Sequence, residues 1–110
     1  MIIIEKNEGE KINYTTKINK ITFDDELMLN LEKYERDDPN HIDICRDKFG
    51  NLVCGVIPSV AEVYVAQIDI PSREYHYIAD GVDENDQPKE VQMSVPFDMN
   101  KCTLTLWALV

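Results

Sequence analysis

A chain of 110 residues has room for one ordinary domain and little more. With 44% hydrophobic and 29% charged residues it has a globular composition, which excludes a disordered tail or a fibrous segment. Eleven Lys and Arg stand against 21 Asp and Glu, and the net charge of −10 argues against direct binding to DNA, RNA or an anionic membrane, where clustered cations neutralise phosphates. The excess is uneven. Residues 1–20 carry four Lys and three Glu, net +1, and the remainder carries −11. An acidic surface of this kind keeps a small protein soluble, or engages a basic partner.

Met1-Ile2-Ile3-Ile4 is too short an apolar run for a signal-peptide core, and no stretch approaches the ~20 apolar residues of a membrane span. Cys45, Cys54 and Cys102 cannot all pair within one chain. The expectation is a cytoplasmic protein with free, mostly buried thiols.

Apolar residues recur at period two, and β-branched residues and tyrosines dominate, which predicts strands. Ile2–Lys6 reads as a strand, Asn7–Glu10 as a turn with Gly9 in a positive-φ position, and Lys11–Thr16 as a second strand with Ile12 and Tyr14 on one face. Ile21, Phe23, Leu27, Leu29 and Leu31 all sit at odd positions, so that either one strand bends at Asp25 or Asp24-Asp25-Glu26 is a tight turn between two. A short helix near residues 25–36 is the alternative, because Leu27, Met28, Leu31 and Tyr34 also fit a helical face.

His41–Arg46 and Leu52–Ile57 read as a hairpin whose Gly50 takes the left-handed position after a type I turn, setting Ile44 opposite Cys54 and leaving no disulfide. In Glu62–Ile70, Tyr64, Ala66, Ile68 and Ile70 share one face, with Val63, Val65, Gln67 and Asp69 on the other. Arg73–Ile78 and Val91–Val95 flank the longest loop, Ala79–Glu90, and Lys101–Val110 forms the last strand. Seven to nine short strands in a single β domain over 1–110 predict an antiparallel β-sandwich or a partly closed barrel.

No catalytic motif is present. Ser59, Ser72 and Ser94 lack a nucleophile elbow, the four glycines are isolated, and the pairs Asp24-Asp25 and Asp37-Asp38 point to opposite sides of an extended chain. His41, Asp43 and Cys45 share a strand face, but three ligands in a straight row do not converge on one ion, so a small metal-dependent enzyme built on them ranks last. The loop Asp80–Asp86 fails the EF-hand spacing at Val82. Neither a metal nor a cofactor is expected, and the chain reads as a non-enzyme.

The candidate partner-binding residues are Trp107 and Leu109, on an ending strand that becomes apolar on both faces, Tyr75 and Tyr77 beside the long loop, and Asp80, Asp83, Glu84 and Asp86 within it. The short β texture, the Ile70-Pro71-Ser72-Arg73-Glu74-Tyr75 break and the Thr103-Leu104-Thr105-Leu106-Trp107-Ala108-Leu109 ending resemble small uncharacterised phage and prophage proteins. That resemblance implies a virion or tail-region component or a small accessory protein. The expected role is a structural or protein-interaction module, self-associating as a homo-oligomer or docking to another protein. The alternative is an acidic inhibitor that presents carboxylates to a basic, nucleic-acid-binding host protein.

Overall fold

The computed structural model describes residues 1–55 and 61–109. The predicted strand residue Ile57, Ser59 and the terminal Val110 lie outside them. Ten strands occur among the described residues, in three sheets. Strands β1 (Ile2–Glu5), β5 (Asn40–Asp47), β6 (Leu52–Cys54), β7 (Ala61–Ile70) and β10 (Thr103–Leu106) form a five-stranded sheet in the order β1-β10-β7-β5-β6. Strands β2 (Tyr14–Lys17), β3 (Lys20–Phe23) and β4 (Leu27–Asn30) form a meander, and β8 (Tyr75–Val82) and β9 (Pro88–Ser94) a two-stranded ribbon.

The mostly β, sandwich-like class is as the periodicity predicts. Ile21, Phe23, Leu29 and Leu31 of the meander and its flank share one core with Ile42, Ile44, Ala66, Ile68, Leu104 and Leu106 of the larger sheet. The sheet is not wholly antiparallel, however. β1 runs parallel to β10, with Ile2 beside Thr103 and Glu5 beside Leu106, a pairing that no local turn signals.

The ambiguous stretch at 25–36 divides between both readings. Asp24 and Asp25 take positive φ (51° and 54°) in a tight turn, Leu27–Asn30 is strand, and Leu31–Tyr34 is a single 3₁₀ turn. Arg46 braces this turn, its guanidinium lying 2.7 Å from an Asp24 carboxylate oxygen. At the β5–β6 hairpin Gly50 has φ 83°, Ile44 faces Cys54 and Cys45 faces Val53, so the thiols do not meet. All three cysteines are free, and burial pushes the Cys102 thiol up to about 11.

Two readings are corrected. The alternation in β7 inverts upstream of Ala66, because a bulge moves the partner of Cys45 to Tyr64. Val65 is therefore buried and Tyr64 exposed. The predicted loop at Ala79–Glu90 is also too long. A second irregularity after Ala79 lets the ladder resume at Val82, opposite Pro88, where a proline is tolerated as the first residue of a strand. Only residues 83–87 remain as loop between the two strands.

The molecule measures 65 × 26 × 23 Å with a radius of gyration of 18.8 Å. A compact chain of this length would have a radius of about 13 Å. The excess is the β8–β9 ribbon, an arm whose strands run roughly 25 Å. Every residue of both its strands is exposed. No helix among the described residues is long and apolar enough to cross a membrane.

Candidate interaction site

The face of the five-stranded sheet turned away from the core is built from two rows set by strand register. One row runs His41, Asp69, Thr103, Ile2, and the next Asp43, Gln67, Thr105, Ile4. The polar half is tied together by side-chain hydrogen bonds. His41 Nδ1 lies 2.5 Å from Asp69 Oδ1 and its Nε2 2.7 Å from Asp43 Oδ1. Gln67 Nε2 donates to Asp43 at 2.9 Å, and Trp107 Nε1 donates to Gln67 Oε1 at 2.9 Å. Trp107 is half-buried, with the Tyr64 ring centroid 6.2 Å away and Lys6 Nζ over its indole at 5.8 Å. It therefore anchors the outer face of the sheet. Leu109, whose N–H donates to the Glu10 carbonyl at 2.7 Å, is exposed.

With a carboxylate at each ring nitrogen, the surroundings of His41 favour its imidazolium form, in which both N–H groups donate. The Asp69 bond foremost, then Asp43, raises its pKa above the ordinary 6.5, while partial burial works the other way. A raised folded-state pKa means that this clamp stabilises fully below pH 6.5 and that the contribution is lost as pH rises through the folded value. An NMR titration of the His41 ring is expected to give a midpoint above 6.5, lowered in Asp69→Asn; a midpoint at or below 6.5 would show that the carboxylates do not hold the ring. Cys45, grouped with His41 and Asp43 from sequence, is buried and takes no part in the network. Because the two carboxylates meet opposite nitrogens of one ring, they do not converge on a shared point. No group of three or more His, Cys, Asp and Glu is placed to hold a metal among the described residues.

The arm carries the other predicted residues. Its root is clamped to the body. The Arg73 guanidinium lies 3.4 Å from a Glu35 carboxylate oxygen and 3.2 Å from one of Asp37, and the Tyr75 hydroxyl donates to Asp37. Lys101 and Glu74 pair at 3.0 Å on the same root. Beyond Tyr75 the arm stands free, with Tyr77 63% exposed. Register places Ile78 opposite Val91 and His76 opposite Met93 on one face, and Tyr77 opposite Gln92 on the other. Ile78, Val91 and Met93 form an exposed apolar stripe. At the tip, Asp83 accepts from the N–H groups of Asn85 and Gln87 at 2.8 and 2.9 Å and so shapes the loop. Asp80 is paired loosely with Lys89 at 3.8 Å, and Glu84 and Asp86 are exposed. The predicted residues thus fall in two places, Trp107 and Leu109 on the body and the other six on the arm.

Sequence reasoning missed a third feature, the β2–β3 turn. Ile18 (φ 33°) and Asn19 (φ 62°) both take positive φ between Lys17 and Lys20, which face each other. Two-residue hairpins of this hand favour Asn-Gly, and a β-branched residue at positive φ is an outlier. Ile18 is nonetheless 84% exposed, so no packing accounts for its presence. The sequence signal was Lys17-Ile18-Asn19-Lys20 itself, an asparagine tolerant of the left-handed region between two β-forming runs. No protein-family model matches the chain, and neither does any curated protein or solved structure, which leaves its own surface chemistry to indicate function.

Proposed function

We propose that the protein is a non-catalytic assembly or protein-interaction module that acts through the β8–β9 arm. The observation that carries this reading is an arm of two strands, exposed along their whole length, bearing Tyr77, Ile78, Val82, Val91 and Met93. An isolated two-stranded hairpin is at best marginally stable in water, and contiguous exposed apolar surface marks interaction sites. A partner laid on the arm supplies the second layer of contacts that the body does not. The clamp at Arg73, Glu35 and Asp37 holds the root in place and fixes the direction in which the arm is presented.

Hydrogen exchange on the dilute monomer tests the reading. Amides of Tyr77–Ala79 and Val91–Met93 are expected to exchange orders of magnitude faster than those of Ile68 and Leu104, and to gain protection when a partner or a second copy binds. Arm amides as protected as the core in the monomer would mean that the ribbon is self-sufficient, and would overturn the reading.

A further inference from the structure

We infer that the partner of the arm is a second copy of this chain, which inserts its β2–β3 turn, Lys17-Ile18-Asn19-Lys20, against the arm's apolar stripe and acidic tip. This rests on the reading of the arm as a docking element and names what docks there.

The two surfaces complement each other in charge and in apolar character. The arm from Tyr75 to Ser94 carries Asp80, Asp83, Glu84, Asp86 and Glu90 against Lys89 alone. The turn carries Lys17 and Lys20 directly opposite one another, an arrangement of like charges that disfavours the hairpin, and neither has an ion-pair partner among the described residues. Between them Ile18 projects in a strained conformation, matched by the exposed Ile78, Val91 and Met93 of the arm. The turn is fixed from behind, because the Asn19 carbonyl accepts from Leu31 N–H at 2.8 Å and the Asn19 amide donates to Glu32 at 3.3 Å. Ile18 is thus presented by a rigid support and loses little freedom on docking.

Net charge selects the orientation. Two copies at −10 repel wherever acidic surface meets acidic surface, and residues 1–20 are net positive against −11 in the rest. The basic turn is therefore the part of one copy that approaches another's arm without penalty. A contact between two different surfaces of one chain either is made twice in a reciprocal, two-fold pair or is heterologous and closes into a ring or propagates as a filament.

Sedimentation of the full chain at about 0.15 M salt tests this, since screening there mutes the net repulsion while contact pairs persist. One variant carries Lys17→Glu and Lys20→Glu. The other carries Asp80→Lys and Glu84→Lys, which spares Asp83 inside the loop and Asp86 at positive φ. The wild type is expected to exceed monomer mass at concentrations up to about 1 mM. Each variant alone should associate at least about tenfold more weakly, and their equimolar mixture should recover association, because reversed turn meets reversed arm. A control with Lys33→Glu and Lys48→Glu, equal in charge change to the turn variant and placed on exposed lysines outside both surfaces, should associate like the wild type. A monomeric wild type, a variant that associates unchanged, or a control that is equally impaired would each overturn the inference. If the wild type is monomeric while its arm amides remain unprotected, only the identity of the partner fails; arm amides protected in that monomer would remove the reading of the arm as well.

Discussion

Phe23→Ala is expected to lower the unfolding free energy by about 3–5 kcal/mol, the usual cost of deleting a buried aromatic ring. Phe23 is fully buried, sits between Tyr14 and Leu27 in the meander, and belongs to the cluster that joins the three-stranded sheet to the larger one. A domain of this size has about 5–15 kcal/mol of stability in all, so that the loss takes a large share of it. Urea denaturation followed by far-UV circular dichroism reads the effect. A loss below about 1 kcal/mol would show that the meander does not cover the core. The exposed arm should make no matching contribution to the transition, because its apolar residues already face water.

Gly9→Ala comes next, at about 2–4 kcal/mol. Gly9 has φ 128°, and a Cβ placed there would lie 2.9 Å from the Ala108 Cβ. Two costs therefore add, a backbone conformation that side chains rarely adopt and a contact with the segment following β10. That segment is held by Asn7 Oδ1, which accepts from Ala108 N–H at 2.7 Å, and by the Glu10 carbonyl, which accepts from Leu109 N–H. A cycle with Ala108→Gly separates the two costs. The double variant should recover the contact part and keep the backbone part. Recovery of full stability would mean that φ strain at this turn is negligible.

What was legible in the sequence is what depends on a residue and its near neighbours. Odd-position burial of Ile21, Phe23, Leu29 and Leu31, the positive φ of Gly9 and the bulged hairpin at Gly50 all follow from local alternation and turn chemistry. The bulge that turns Tyr64 outward and Val65 inward is a property of the β5–β7 pair, so neither strand announces it. Spacing alone puts His41 and Asp43 on one strand face, but Asp69 and Gln67 join them only through the cross-strand register. The arm was hidden for the opposite reason. Tyr75-His76-Tyr77 alternates as a core strand would, and alternation predicts a strand without saying what, if anything, lies against it. Trp107 illustrates the same limit, since its ring is neither core nor free surface but the end of a hydrogen-bonded chain that begins at Asp69.

The parallel pairing of β1 with β10 has a consequence for how the chain reaches its fold. Ile2 meets Thr103, so this edge of the sheet joins strands far apart in sequence, and contacts of such separation slow folding. Until that pairing forms, Ile2, Ile3 and Ile4 form an unpaired apolar strand, and even in the finished sheet they remain partly exposed on its edge. During synthesis or refolding the same strand is free to add to another chain's open edge. Refolding yield at high concentration is thus expected to depend on how soon β1 finds β10, as well as on the core.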